Sequence, residues 1–160
     1  MEKLFIGIDP GILGAVGAIC PNCGPQVWDT PTAVLKRTKR DYLVGDMRAV
    51  LSDVCCLRGS DVQVVLERGI PMPSQSSSST YVTGRGGGIW EGMLAGLALP
   101  YTLVQASQWK RVLSLTGQEK SGSRVRAQQL FPSIADRFSK VKDDGRAEAI
   151  LLAEYGRRQG

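Results

Sequence analysis

The chain has 160 residues, of which 42% are hydrophobic, and it carries a formal net charge of +5. This length suits one globular domain with a sizeable core, so we expect a single domain over residues 1–160. No apolar run reaches the roughly 18 residues that a membrane span needs. The sequence contains no histidine, which excludes Ser-His and Cys-His nucleophilic pairs. Its chemistry must therefore use carboxylates, lysines, hydroxyls or metal ions.

The first strands are predicted by short apolar runs separated by turn residues. Residues 4–9 form an apolar run that ends in a carboxylate, Asp9. Further short strands are expected at 15–20 and around 26–30, with glycine- and proline-rich turns between them. Three strands at this spacing indicate an antiparallel meander.

Helical and extended patterns alternate in the rest of the chain. Apolar residues at helical spacing predict a helix over 40–56, and an apolar strand at 62–66 leads into Glu67. Residues 71–80 have the composition of a loop. The remaining predicted elements are a helical pattern late in 82–99, a short strand at 101–104, a short basic helix at 124–130 and a long helix at 145–155. This order of elements indicates an α/β sandwich.

Acidic residues at three places in the chain suggest a metal site. Asp9 and Glu67 end two apolar strands and converge if those strands are neighbours. Asp144 and Glu148 lie four residues apart on the last helix, where a cation between them would relieve their repulsion. Asp143 takes the place of Asp144 if the register differs. Carboxylates are the ligands that Mg²⁺ prefers, and two such ions suit phosphodiester hydrolysis without histidine.

Each of these acids also has an ordinary structural interpretation. Asp9 precedes a Pro-Gly turn, where aspartate is common. Glu67 could form an ion pair with a neighbouring cation, and Asp144 could cap the last helix. The acids at three places together are more informative than any one of them.

Basic and hydroxyl side chains form a second group of candidates. The net positive charge favours a polyanionic partner such as nucleic acid. Short hydroxyls, amides and cations can bind phosphates or base edges, and Tyr81 could either stack on an unpaired base or pack in the core. The candidates for contact with DNA are Ser74, Gln75, Ser76, Tyr81, Arg85, Lys110, Lys120 and Arg124.

The four cysteines are Cys20, Cys23, Cys55 and Cys56. The first two have the spacing of a zinc or redox site. A zinc site would need Cys55 and Cys56 as its other two ligands, and adjacent cysteines chelate one tetrahedral ion poorly. We therefore expect free thiols in a reducing compartment.

These residues resemble a known family. Ile6-Gly-Ile-Asp-Pro-Gly11 resembles the opening of the RuvC-type Holliday junction resolvases, and Glu67 resembles their second acidic residue. The later blocks that resemble this family are Trp109-Lys110, Lys120 with Ser123, Leu130-Phe-Pro132 and the acidic stretch 142–149. The similarity runs nearly end to end. Residues 20–40 and 74–79 look most like the chloroplast-targeted resolvases of plants.

The resemblance implies an RNase H-like fold, with a central mixed five-stranded sheet flanked by helices. It implies an Mg²⁺-dependent endonuclease that nicks four-way junction DNA with two ions per site, for which Mn²⁺ could substitute. The implied metal ligands are Asp9, Glu67, Asp144 and Glu148, with Lys120 at the scissile phosphate. Bacterial RuvC commonly spaces its last two acids three apart, whereas Asp144 and Glu148 are four apart, which leaves Asp143 open as the third ligand.

The resemblance also implies a setting for the protein. We expect a mature domain trimmed of a transit peptide in the chloroplast nucleoid, or alternatively a phage or bacterial cytoplasmic protein. Because a junction needs two symmetric nicks, we expect a two-fold homodimer, with no membrane and no small-molecule cofactor. Within 89–99, Ile89, Met93, Leu94 and Leu97 could form either the dimer interface or the buried face of a core helix.

Three other interpretations stay open from the sequence. An RNase H-type nuclease for RNA–DNA hybrids would share the metal chemistry without requiring a dimer. A catalytically inactive module that binds branched DNA would lack a ligand, and no carboxylate is missing here. The Asp-Pro-Gly motif also resembles the phosphate loop of sugar kinases and actin-like ATPases, but those folds need a second large lobe.

Overall fold

A computed structural model of the chain describes residues 3–37, 39–56, 61–119 and 121–160, without the side chains of 55 and 56. The strands are β1 Lys3–Asp9, β2 Ala15–Cys20, β3 Gly24–Asp29, β4 Thr32–Lys36, β5 Lys39–Tyr42, β6 Asp61–Glu67 and β7 Tyr101–Val104. The helices are α1 Val44–Cys56, α2 Ser77–Gly96, α3 Ala106–Val112, α4 Gly122–Leu130 and α5 Asp144–Gln159, with 3-10 turns at Pro132–Phe138 and Val141–Asp143. None of the described helices is both long and apolar enough to cross a bilayer.

The main sheet has five strands in the order β3-β2-β1-β6-β7. Strands β1, β2 and β3 pair antiparallel and form the predicted meander, whereas β6 runs parallel to both β1 and β7. The β1–β6 register pairs Ile8 with Leu66, so the next residues, Asp9 and Glu67, lie at the same edge of the sheet. The predicted mixed five-stranded sheet is confirmed.

Alternation along the strands fills a separate core on each face of the sheet. On one face, Leu4, Ile6 and Ile8 pack in a buried cluster that includes Met47 of α1 and Trp90 of α2. The cluster on the other face includes Val65 of β6, Trp109, Phe138, Ile150 and Leu151. Helices therefore cover both faces, as the predicted α/β sandwich requires.

Helix α5 crosses β1 at very short distance. A Cβ atom at Gly7 would overlap the Ala149 carbonyl oxygen and the Ala153 nitrogen. Glycine at this position lets the helix backbone lie directly on the strand. As a result, Glu148, which precedes Ala149, is brought close to the end of β1.

Two predicted boundaries were wrong, and both errors have local causes. The helix predicted over 40–56 begins at Val44, because residues 39–42 pair with β4 in a hairpin. The loop predicted over 71–80 ends at Ser76, whose side chain accepts a 3.1 Å hydrogen bond from the Ser79 nitrogen. Serine is a favoured N-cap, so the serine run starts the 20-residue helix α2 rather than extending the loop.

Candidate active site

Three carboxylates from three different elements converge at the edge of the sheet. Asp9 ends β1, Glu67 ends β6, and Glu148 lies one turn into α5. One carboxylate oxygen from each lies within 4.8 Å of the others, and all three side chains are half-buried. Within the described part of the chain, this is the group of acids arranged to hold a metal ion.

Burial and repulsion by neighbouring acids raise the pKa values of Asp9 and Glu67. The pKa of Asp9 rises from 3.8 to about 7, first because burial disfavours the charged form and then because Glu148 and Glu67 are negative. Burial also raises the pKa of Glu67, although the hydrogen bond from Trp109 opposes that rise. Desolvated like charges at one point are costly unless a cation compensates them.

Neighbouring side chains hold the acids in place. The Trp109 indole donates a 2.6 Å hydrogen bond from Nε1 to Oε2 of Glu67. The Lys110 ammonium lies 3.1 Å from Oε1 of Glu148, and the Ser123 hydroxyl donates a longer 3.5 Å hydrogen bond to the same oxygen. The helix that carries Trp109 and Lys110, α3, was not predicted, because its seven residues are too few to show a helical period.

The two candidates for the third acid have different surroundings. Asp144 lies at the cleft that also contains Asp9 and Glu148, and its Oδ1 accepts a 2.7 Å hydrogen bond from Arg124 Nε. Asp143 is buried, with 2% of its surface exposed. It accepts hydrogen bonds from the Lys140 nitrogen and from Arg146, at 2.9 and 3.3 Å. Asp143 is thus hydrogen-bonded within the turn that leads into α5, whereas Asp144 lies at the edge of the acidic cluster.

Asp9, Asp144 and Glu148 line a cleft of about 570 Å³. Its walls combine the Gly11–Gly14 turn after β1, Thr83 of α2, and Lys110. Glu119 and Gln118 add polar groups on the side of α4. Its open shape and its charged side chains do not suit a small apolar ligand.

The predicted DNA contacts fall into two groups. Lys110 lines the cleft and pairs with Glu148, and Arg124 pairs with Asp144, which also lines it. The other predicted contacts belong to the segment that leads into and through the first turns of α2: Ser74, Gln75, Ser76, Tyr81 and Arg85. Tyr81 is 69% exposed, so the alternative that it packs in the core is wrong. Lys120 lies outside the described residues.

Two further predictions concern cysteines and the apolar stripe of α2. Cys20 is buried and Cys23 exposed, and a hydrogen bond with Cys20 raises the pKa of the Cys23 thiol.

In the apolar stripe of α2, Leu94 is fully buried, and Ile89 and Met93 pack against the same core, while Leu97 is 37% exposed. Most of the stripe is therefore a core face, the second of the two alternatives.

Comparison with known proteins gives one relative by sequence and a fold by structure. No family model matches the chain. The sequence is 28% identical over 148 residues to the Holliday junction resolvase MOC1, chloroplastic, of Chlamydomonas reinhardtii. That match covers 81% of this chain, and the chain spans 17% of the length of the relative.

Two solved structures of Thermus thermophilus RuvC superpose on almost the whole chain. RuvC in complex with a Holliday junction substrate matches with a TM-score of 0.63 at 18% identity, covering 99% of this chain and 96% of that one. A second RuvC structure matches with a TM-score of 0.61 at 20% identity, covering 100% and 97%. The chain therefore has the RNase H-like fold of RuvC, and the RuvC-type resemblance inferred from its motifs is confirmed.

Proposed function

We propose that this chain is a divalent-metal-dependent endonuclease that resolves Holliday junctions by paired symmetric nicks. The observation that carries the proposal is the convergence of Asp9, Glu67 and Glu148 within 4.8 Å at the edge of a RuvC-like sheet. The similarity to a chloroplastic Holliday junction resolvase supports the choice of substrate.

The donor set fits a hard divalent cation. Carboxylate oxygens are the ligands that Mg²⁺ prefers, and repulsion among these three acids disfavours their shared ionisation without a cation. Asp9, Glu67 and Glu148 would hold the metal, with Asp144 as a further ligand at the edge of the cleft. When bound, Mg²⁺ would activate water and stabilise the charge of the phosphate. We propose two ions per site, with Mn²⁺ as a substitute.

Protein side chains would position the reacting groups. Trp109 holds one oxygen of Glu67 through its 2.6 Å hydrogen bond and leaves the other oxygen for a cation. Lys110 lies at the cleft beside Glu148, where an ammonium can bind a phosphate oxygen. We propose the same type of contact for Lys120, and phosphate or base contacts for Arg124 and for the residues that lead into α2.

The proposed assembly and compartment follow from the substrate and the relative. One chain supplies one acidic cluster in its described residues, whereas two opposed nicks require two clusters. A two-fold homodimer presents two copies to a two-fold junction. The chloroplastic relative supports a chloroplast location.

A substrate panel tests the proposal. Labelled four-way junction, linear duplex and RNA–DNA hybrid are each incubated with the protein and Mg²⁺, with Asp9→Asn as the inactive control. We expect selective, symmetric cutting of the junction, and binding without cutting by the variant. Cutting of the hybrid alone would instead assign the chain to the RNase H type. Junction binding without cutting by the unaltered protein would indicate a binding module.

A further inference from the structure

The hairpin formed by β4 and β5 concentrates positive charge at its tip. Lys36, Arg37, Lys39 and Arg40 are all exposed, and the whole chain has a net charge of only +5. Beside them, Val34 and Leu35 are 57% and 62% exposed. The hairpin lies outside the five-stranded sheet, so the cations are not needed to cover the core.

The cations at the tip lack internal compensation. No carboxylate among the described residues pairs with Lys36, Arg37 or Lys39. Lys36 and Lys39 are direct cross-strand partners, and like charges in such positions destabilise a hairpin. An external polyanion would relieve this repulsion.

The turn itself carries a backbone conformation that favours glycine. Arg37 has φ of +52°, in the left-handed region, which is unfavourable for a residue with a side chain. Glycine would hold the same turn at lower cost. An arginine here therefore places a long cation at the tip despite a backbone penalty.

The base of the hairpin is fixed to the edge of the acidic cluster. The Tyr42 hydroxyl lies 3.3 Å from the carbonyl oxygen of Pro10, the residue after Asp9, and 3.1 Å from that of Val82 in α2. Asp41 forms an ion pair with Arg85 of α2. Arg40 lies at the same small cavity as Leu13 of the turn after β1. These contacts brace the base of the hairpin beside the turn that follows β1.

The length of the hairpin suits contact with a DNA duplex. Three residues separate Tyr42 from Lys39, a rise of about 10 Å in an extended strand. Along B-DNA this distance corresponds to about three base pairs. The tip can therefore reach backbone phosphates a few base pairs from the nucleotide that occupies the cleft.

From these observations we infer that the β4–β5 hairpin binds the phosphate backbone of one duplex arm of the DNA substrate, through Lys36, Arg37 and Lys39. The inference rests on the proposed function, since it places the substrate in the acidic cleft. The hairpin would add affinity for DNA and hold the duplex arm in place, while the chemical step would depend on the acidic cluster.

The test is the salt dependence of junction binding in Arg37→Gln/Lys39→Gln. Each lost phosphate contact lowers the slope of log affinity against log salt by about 0.9, so the double variant should lose up to about 1.8. Cutting at saturating protein should keep its normal rate. The matched control is Arg48→Gln/Arg137→Gln, which also removes two exposed cations, one on α1 and one beside β3, and should keep the slope.

A second variant guards against loss of the hairpin itself. Arg37→Gly removes one cation and suits the positive φ, so it should be at least as stable as the unaltered protein and still lose about 0.9 of the slope. Slopes equal to the unaltered protein in both hairpin variants would overturn the inference while junction cutting persists. If the unaltered protein neither binds nor cuts junctions, the proposed function fails instead.

Discussion

The indole Nε1 of Trp109 donates a 2.6 Å hydrogen bond to Oε2 of Glu67 and so links helix α3 to the acidic cluster. Trp109 is fully buried, which fixes the direction of the donor. The bond orients the carboxylate and partly opposes the rise in its pKa that burial causes.

Trp109→Phe should therefore weaken metal use more than it weakens folding. Loss of an outer partner of a metal ligand typically costs about 10–100-fold in metal affinity or activity. The measurement is the Mg²⁺ concentration for half-maximal cleavage, which should rise. The control is Trp90→Phe, since Trp90 is equally buried but its Nε1 has no hydrogen-bond partner in the described structure. An equal rise in both variants would refute a specific role for the bond.

Lys110→Gln should slow cleavage by about tenfold or more while junction affinity changes little. The ammonium lies 3.1 Å from Glu148, at the place where the scissile phosphate would lie. Single-turnover rates at saturating protein report the chemical step. Arg111→Gln, the exposed neighbour in α3, is the control for general loss of charge. Equal rates for Lys110→Gln and the unaltered protein would return Lys110 to the role of an ordinary ion-pair partner.

Asp143→Asn should reduce stability, whereas Asp144→Asn should reduce cleavage. Asp143 is buried and bonded to Arg146, so its neutralisation should lower the free energy of unfolding by about 1–3 kcal/mol and spare cleavage. Asp144 is paired with Arg124 at the cleft, so its neutralisation should reduce cleavage and spare stability. Urea unfolding and nicking assays on both variants check this. A greater loss of cleavage in Asp143→Asn would make Asp143 the ligand.

Asp9→Asn should stabilise the metal-free protein at pH 8 but not near pH 4. The folded pKa of about 7 lies above the unfolded value of 3.8. Between these values the unfolded chain releases the proton while the folded chain keeps it, so stability falls as pH rises. Each tenfold difference in proton affinity is worth about 1.4 kcal/mol. Thermal unfolding in EDTA measures the effect, and added Mg²⁺ should stabilise the unaltered protein more than the variant. A variant less stable than the unaltered protein at pH 8 in EDTA would show that Asp9 is not strained.

The sequence was sufficient to predict the features that follow from a local pattern of residues. The apolar runs before Asp9 and Glu67 predicted two strands ending in acids, and their parallel pairing brings the acids together. Helical spacing placed Glu148 on α5 correctly. These features depend on periodicity and on the geometry of strand ends.

Other features depend on contacts between distant residues, which a single sequence does not display. The bond from Trp109 to Glu67 joins positions 42 residues apart. The β4–β5 hairpin was hidden by the helical spacing of the residues that follow it. The serine run before α2 had the composition of a loop, although serine is also a favoured residue at a helix start.

The most direct test of the central claim uses a supercoiled plasmid that extrudes a cruciform, with Mg²⁺ and the unaltered protein. Two opposed nicks across the cruciform give linear plasmid, whereas a single nick gives an open circle. We expect mostly linear product that disappears in EDTA and in Asp9→Asn. Open circles alone, or linear product that persists in Asp9→Asn, would contradict a paired metal-dependent cut at the cluster of Asp9, Glu67 and Glu148.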